Sequence, residues 1–353
     1  MPRIAVFGLG HIGSSIVRRI KQVRPDWQVR GHDLRTGVDL TNPDAVRLAL
    51  SQADAVIDCL PYMHNLLVAK EAADLGVAYF NLTEDIRNTA AMEPLSSQAP
   101  IVPQCGLAPG MVSILAQQMT EGLSAVEQIT IMVGALPLDA SINRLGYGLT
   151  WSVEGLVNEY CGDAHAVVNG ALTTVPALDG YDASVSVNGV ALEAAYTAGG
   201  IGTLAHTWAG RAQSVAYKTL RYPGHFPFFR ILRDDLRMND YKHQLTRWLR
   251  DTLPQITNDV IYIRITVTGI PTGQTAPITR TYTNAIVADA PGETAIQTST
   301  ACGALCVVDA YVQGQVTGRG FVRQEDLPYD AITASPFFAP YRVFTSYAQM
   351  HYY

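Results

Sequence analysis

From Arg3 to about Leu123 the chain alternates short, uniformly apolar runs with segments whose apolar residues recur every three to four positions. Uniform apolar runs suit strands buried on both faces, and the longer period suits helices packed over them. The pattern predicts strands at Arg3–Gly8, Trp27–Asp33, Ala55–Leu60, Val77–Asn81 and Pro100–Gln104. It predicts helices at Ile12–Val23, Pro43–Ser51 with Thr41 or Asn42 as the cap, His64–Leu75 and Gly110–Gly122. Strand and helix in alternation call for a parallel sheet covered on both faces.

After Ser124 the period shortens to two. Alternating runs lie at Val126–Val133, Ala164–Val168, Val185–Val187, Val215–Tyr222, Val260–Thr268 and Ile278–Asp289. Two of them run into Asn169-Gly170 and Asn188-Gly189, dipeptides that favour two-residue hairpin turns because both positions take positive φ. This part should be a largely antiparallel sheet, with helices at Phe228–Met238 and Tyr241–Thr252. The Ala-, Cys- and Val-rich stretch Thr294–Val312 suits a buried helix returning to the first domain. The expected divisions are 1–123, 124–290 and 291–353.

A chain of 353 residues exceeds what one core usually serves, which agrees with two domains. With 48% hydrophobic and 16% charged residues, the composition implies extensive buried surface, including a subunit interface, most simply that of a homodimer. The net charge of −6 and the lack of a dense Lys/Arg run argue against nucleic acid as a partner. No charged leader precedes the first strand and no uninterrupted apolar run spans a bilayer, so a cytoplasmic protein without a membrane partner is expected. The five cysteines are odd in number and scattered, which argues against a disulfide framework. Cys302 and Cys306 sit four apart but lack a second pair to complete a zinc site, so buried thiols and no metal are expected.

The most specific chemistry is Gly8-Leu9-Gly10-His11-Ile12-Gly13, directly after a strand and opening a helix. In a dinucleotide-binding turn the first glycine permits the bend, the second lets the backbone approach a pyrophosphate, and the third lets helix pack on strand. The anion then sits at a helix N-terminus. Asp33 ends the next strand about twenty residues on, where a carboxylate accepts hydrogen bonds from ribose hydroxyls, which favours NAD. Leu34 and Arg35 follow, and Arg35 could pair with a 2′-phosphate, which keeps NADP open. Cys59-Leu60-Pro61 and Leu82-Thr83 end later strands along the edge a dinucleotide crosses. The fold class is therefore α/β, a Rossmann doubly wound parallel sheet with an inserted α+β substrate domain.

Several separated stretches resemble the saccharopine dehydrogenase-like family, with the lysine 6-dehydrogenase branch the nearest look. They are Asp58-Cys59-Leu60-Pro61-Tyr62, Gly106-Leu107-Ala108-Pro109-Gly110-Met111, Leu149-Thr150-Trp151-Ser152-Val153-Glu154-Gly155, Thr197-Ala198-Gly199-Gly200, the run from Tyr217 to His225, and Thr317-Gly318-Arg319-Gly320. Cys105 departs from the acid expected in lysine dehydrogenases, and the Phe- and Tyr-rich tail after Pro328 matches nothing in the pattern. The resemblance implies oxidation of an amino acid's C–N bond, or the reverse reductive amination, with NAD or NADP. A saccharopine- or opine-type reductase, a cyclodeaminase that retains NAD, and a catalytically silent dinucleotide sensor remain alternatives.

Hydride loss from an amine carbon requires a neutral amine, so a proton acceptor and groups for the substrate's charges are needed. Tyr62 should lie at the carboxyl edge, as the family's Pro-Tyr pair implies. Glu154 holds a place in the family motif, although Ser-Val-Glu-Gly also suits helix capping. His225 has an imidazole suited to proton exchange near neutrality. Lys218 and Arg221 lie three apart on one strand and so point to opposite faces. Arg144, Arg211 and Arg221 are possible carboxylate forks, and Thr150, in the Leu149–Gly155 stretch, is a further candidate for substrate contact.

Overall fold

The computed structural model describes residues 1–342. The chain forms two compact units, one of Met1–Ile114 with Gln297–Pro340, the other built on Leu115–Ile296. The aromatic tail beyond residue 342, part of the expected 291–353 segment, lies outside the described residues.

In the first unit β1 (Arg3–Phe7), α1 (His11–Val23), β2 (Gln28–His32), α2 (Pro43–Leu50), β3 (Ala55–Asp58), α3 (Tyr62–Leu75), β4 (Ala78–Asn81), α4 (Ile86–Met92) and β5 (Pro100–Val102) alternate as the apolar pattern requires. The sheet order is β2-β1-β3-β4-β5, completed by a two-residue strand, Gly320–Phe321, on the β5 edge, and every pairing is parallel. The order reverses between β1 and β3, the position where doubly wound sheets open a crevice at their carboxyl edge. Asn42, one of the two caps considered, accepts from the Asp44 amide to start α2. The α4 helix escaped the periodicity reading because it is short; Asp85 caps it by accepting from the Asn88 amide at 2.6 Å.

The late helix Ala295–Val312 is long and apolar enough to cross a bilayer by composition. Its polar Gln297, Thr298, Ser299 and Asp309 broke the uninterrupted run sought in the sequence. Most of it is buried in the fold, including Cys302 and Cys306. The buried Arg19 of α1 donates to Thr298 Oγ1 at 3.0 Å and to Cys302 Sγ at 3.3 Å, and Arg24 pairs with Asp309 at 2.8 Å, so two arginines tie the late helix to α1.

The second unit begins within α5 (Met111–Gln118), which is shorter than the predicted Gly110–Gly122, with Gly110 and Gly122 both at positive φ. Next come β6 (Leu123–Pro137), α6 (Val153–Cys161), β7 (Asp163–Val168), β8 (Ala171–Pro176), β9 (Asp182–Val187), β10 (Val190–Tyr196), α7 (Leu204–Trp208), β11 (Ala212–Arg221), α8 (His225–Arg230), α9 (Lys242–Thr252), β12 (Asp259–Pro271) and β13 (Ile278–Val287). The main order is β13-β12-β6-β11-β10-β9, and the β7-β8 hairpin pairs onto β11. Only the β6–β11 pairing is parallel among those described, so the largely antiparallel sheet is mixed. Asn169-Gly170 and Asn188-Gly189 both take positive φ and close their hairpins as expected. The predicted helix Phe228–Met238 is corrected. The left-handed Gly224 lets α8 begin at His225, a wider π turn follows over Ile231–Asp235, and Arg237 at φ 54° ends it.

Candidate functional site

The glycine turn in the first unit has the geometry its sequence called for. Gly8 sits at φ 83°, and an added Cβ there would meet the Cys59 carbonyl oxygen at 3.0 Å, so the loops after β1 and β3 abut at the crevice. A Cβ on Gly13 would lie 1.9 Å from the Gly8 carbonyl oxygen, which leaves room for no side chain. A Cβ on Gly10 would meet nothing within 4 Å, so its backbone faces open space. Gly10 is also the N-cap of α1 and supplies no side-chain bond, leaving the amides of that first turn to an anion. His11 is exposed and Ile12 half-buried beside it. These features fit a dinucleotide pyrophosphate.

Asp33 follows β2 and accepts from the Leu9 amide at 2.7 Å, the Arg35 amide at 2.9 Å and Arg35 Nε at 2.9 Å. The Arg35 bonds and the two amides hold its carboxyl well below the usual range. Arg35 also reaches the Leu9 carbonyl, and Leu34 beside it is exposed. The expected ribose acceptor and phosphate partner thus form one ion pair beside the glycine loop. Along the same edge lie Cys59, Leu60, the exposed Pro61, and Leu82 with Thr83, whose hydroxyl accepts from the Asp85 amide. Tyr62 opens α3 and is 54% exposed, with its carbonyl bonded by Asn88.

Beneath this edge Asp58 is fully buried, and burial pushes its carboxyl up to about 6 despite bonds from the Leu60 amide, Asn65 and Tyr79. Its native value stands above the ordinary 3.8, so its contribution to stability is complete below about pH 4 and is lost as pH rises through 6. The loss is about 3 kcal/mol. Urea midpoints at pH 4.5 and 7.5 should register it, and in Asp58→Asn that difference should shrink; an unchanged difference would show that Asp58 does not titrate in this range.

In the second unit β11 presents Arg221 inward and Lys218 to the other face, as their spacing requires. Lys218 donates to the Gly180 carbonyl at 2.7 Å and stacks over Tyr196. Arg221 is 2% exposed; its Nε donates to Tyr160 Oη at 2.7 Å, and its guanidinium lies 4.9 Å from the Tyr147 ring centroid. His225, 0% exposed, bonds Tyr160 Oη through Nε2 at 2.8 Å and stacks on Phe229. Burial, with Arg221 nearby, drives its basicity far down and keeps it neutral. The structure therefore brings His225 and Arg221 together through Tyr160.

It does not bring the other candidates there. Glu154 lies on the surface, bonded by Arg250 and by Ser152, whose hydroxyl caps α6. Arg144 is exposed, and Arg211 stacks on Trp208 at 4.4 Å. The acid that faces Arg221 is Glu159, one turn and a half further along α6 and passed over in the sequence, with Oε2 3.7 Å from Arg221 Nη2. Burial raises its carboxyl, with Arg221 opposing. Glu159 Oε2 and Tyr147 Oη, both beside Arg221, are buried and lack hydrogen-bond partners; Thr150 Oγ1 is likewise buried and unbonded, with no contact to Arg221 or Glu159 to join it to them. Buried polar atoms are normally paired, and the two orphans beside Arg221 mark a place for a polar ligand or water. Among the described residues no cluster of three or more His, Cys, Asp or Glu could hold a metal.

Known proteins agree with this architecture. The saccharopine dehydrogenase C-terminal domain family matches residues 106–341. An apo, histidine-tagged saccharopine dehydrogenase (L-Glu forming) from Saccharomyces cerevisiae superposes with a TM-score of 0.75 at 15% identity, over 94% of this chain and 96% of that one. An engineered D-amino acid dehydrogenase bound to NADP+ gives 0.51 at 14% identity, covering 95% and 96%, and the C. glutamicum DAP dehydrogenase in complex with DAP gives 0.50 at 13%, covering 96% and 97%. At these identities the likeness is one of fold, a Rossmann-like α/β unit joined to a mixed-sheet unit. With two thirds of its length matched by the family's own pattern, the chain belongs to the saccharopine dehydrogenase C-terminal domain family.

Proposed function

We propose that the protein is an NAD(P)-dependent oxidoreductase acting on the C–N bond of an amino acid, with NAD preferred and oxidative deamination of a lysine-like substrate as its reaction. The observation that carries this reading is the buried Arg221–Glu159 pair with the unpartnered Tyr147 and Glu159 oxygens beside it. An amino acid needs a cation for its carboxylate and an acceptor for its ammonium proton. Arg221 offers bidentate donors for the first, and Glu159, with its carboxyl raised toward neutrality, offers the second. Neutral His225, bonded to Tyr160, holds that ring and through it Arg221. The glycine turn supports a dinucleotide, which when bound supplies a two-electron acceptor for hydride. The similarity to amino-acid dehydrogenases supports the substrate class. A homodimer belongs to this reading, supported by the charge-poor composition, and light scattering of the purified protein tests it.

Turnover with NAD and NADP across a panel of amines and amino acids, in both directions, tests the function. Lysine oxidation faster than any condensation of an amine with an oxo acid supports the deaminase; the reverse order supports a saccharopine-type reductase. Cofactor choice is tested at the β2 edge. Asp33→Ala should raise the KM for NAD about tenfold, the worth of one charge-assisted hydrogen bond, with a smaller change for NADP, and Arg35→Ala should do the opposite. Equal effects of either variant on both cofactors would remove the pair from cofactor selection.

A further inference from the structure

A hydrogen-bonded chain of fully buried side chains runs beneath the carboxyl ends of three neighbouring strands in the first unit. Asp58, the last residue of β3, accepts from the Leu60 amide at 3.0 Å and from Tyr79 Oη, on β4, at 2.9 Å. Tyr79 Oη in turn accepts from Asn81 Nδ2 at 3.1 Å. Asn81, the last residue of β4, accepts on Oδ1 from the Gln104 amide at 2.9 Å and the Thr83 amide at 3.3 Å, and its carbonyl accepts from the Cys105 amide at 2.7 Å. Gln104 stands at φ 64°, a strained conformation for a residue with a side chain, which the surroundings must enforce. Asp58, Tyr79, Asn81 and Gln104 are each no more than 2% exposed.

Burying two amides, a phenol and a carboxylate costs free energy that a plain apolar layer would not incur. A packed core does not require them. What they do is fix the amides of Leu60, Thr83 and Gln104, one in each loop that follows β3, β4 and β5.

We propose that Asp58, Tyr79 and Asn81 are positioning residues that hold these three loops in register as a single edge for the dinucleotide. The proposal rests on the dinucleotide reading of that edge, and it assigns no contact with the cofactor to any of the three. Loss of the Tyr79 hydroxyl breaks the chain at its centre, so its effect reaches a loop on either side. A merely structural tyrosine would loosen β4 alone.

Hydrogen–deuterium exchange of the cofactor-free full chain tests this without calling on activity. In Tyr79→Phe, peptides carrying Leu60, Thr83 and Gln104 should all exchange at least fivefold faster than in the wild type, with β13 peptides unchanged. The Kd for NADH, from fluorescence titration, should rise about tenfold. Asp58→Asn, which keeps an acceptor for Leu60 but puts a donor toward Tyr79, should reproduce the pattern and guards against a fold defect peculiar to one variant. Faster exchange confined to β4, or unchanged Kd with faster exchange at all three loops, would overturn the proposal. A wild type that binds no NADH would overturn the dinucleotide reading, and with it the edge this chain is said to hold, even if the exchange coupling were seen.

Discussion

Gly13→Ala is expected to abolish dinucleotide binding. The new methyl would stand 1.9 Å from the Gly8 carbonyl oxygen, well inside any contact a carbon makes, and the obstacle is backbone, not a side chain that can swing aside. The turn would have to open, moving Gly10 and the first amides of α1 away from the position in which they meet a pyrophosphate. Loss of NADH affinity by at least 100-fold is expected, beside a stability loss of about 1–3 kcal/mol from overpacking. Gly10→Ala is the matched control for space, since its Cβ meets nothing in the free protein; it should leave stability near the wild type and weaken the dinucleotide alone. Titration of NADH with both variants, alongside thermal melts, checks the pair. Retained affinity in Gly13→Ala would mean that the turn is not the cofactor site.

Glu159→Gln is expected to lower kcat by about 10²–10⁴, the range a positioned proton acceptor contributes. The substitution keeps the size of the side chain and removes its capacity to take a proton. Because burial raises the Glu159 carboxyl while Arg221 opposes, it is a stronger base than an ordinary carboxylate and better matched to taking a proton from an amine. In the wild type kcat/KM should therefore rise with pH along a limb set by the Glu159–Arg221 pair, and that limb should disappear in the variant. Glu154→Gln, at the surface beside Arg250, should leave kcat within about twofold, as expected for an exposed ion pair. If Glu154→Gln carries the large loss instead, the assignment of the acid moves to the family-motif position.

The contrast between these two glutamates shows what a sequence can and cannot disclose. Glu154 stood in a recognisable motif and Glu159 in none. Five residues along a helix turn the side chain by roughly 140°, so if one faces the interior the other faces solvent. Which of them faces inward depends on Arg221, sixty-odd residues away on β11, and no local pattern encodes that pairing. The same holds for the parallel β6–β11 contact, which joins strands separated by four hairpin strands and two α-helices. By contrast the glycine turn, the two Asn-Gly hairpins and the buried strands were legible because each rests on local constraints: positive φ, a close backbone approach, or burial on both faces. Asp33 and Arg35 lie between these cases. Their roles toward a ribose or a phosphate could be argued from position, but their mutual ion pair needed the geometry of the loop. The chemistry of an imidazole alone suggests a proton exchanger at His225; its complete burial between Tyr147, Tyr160 and Phe229 fits a neutral hydrogen-bonding partner of Tyr160.

The most direct test of the central claim follows the hydrogen itself. The purified protein is incubated with NAD and lysine deuterated at the amine-bearing carbons, and the recovered dinucleotide is read by NMR. Deuterium is expected on one face of the nicotinamide C4, with an equivalent of ammonia released. Repeated with other deuterated amino acids and with NADP, absence of deuterium at C4 in every combination would contradict that claim.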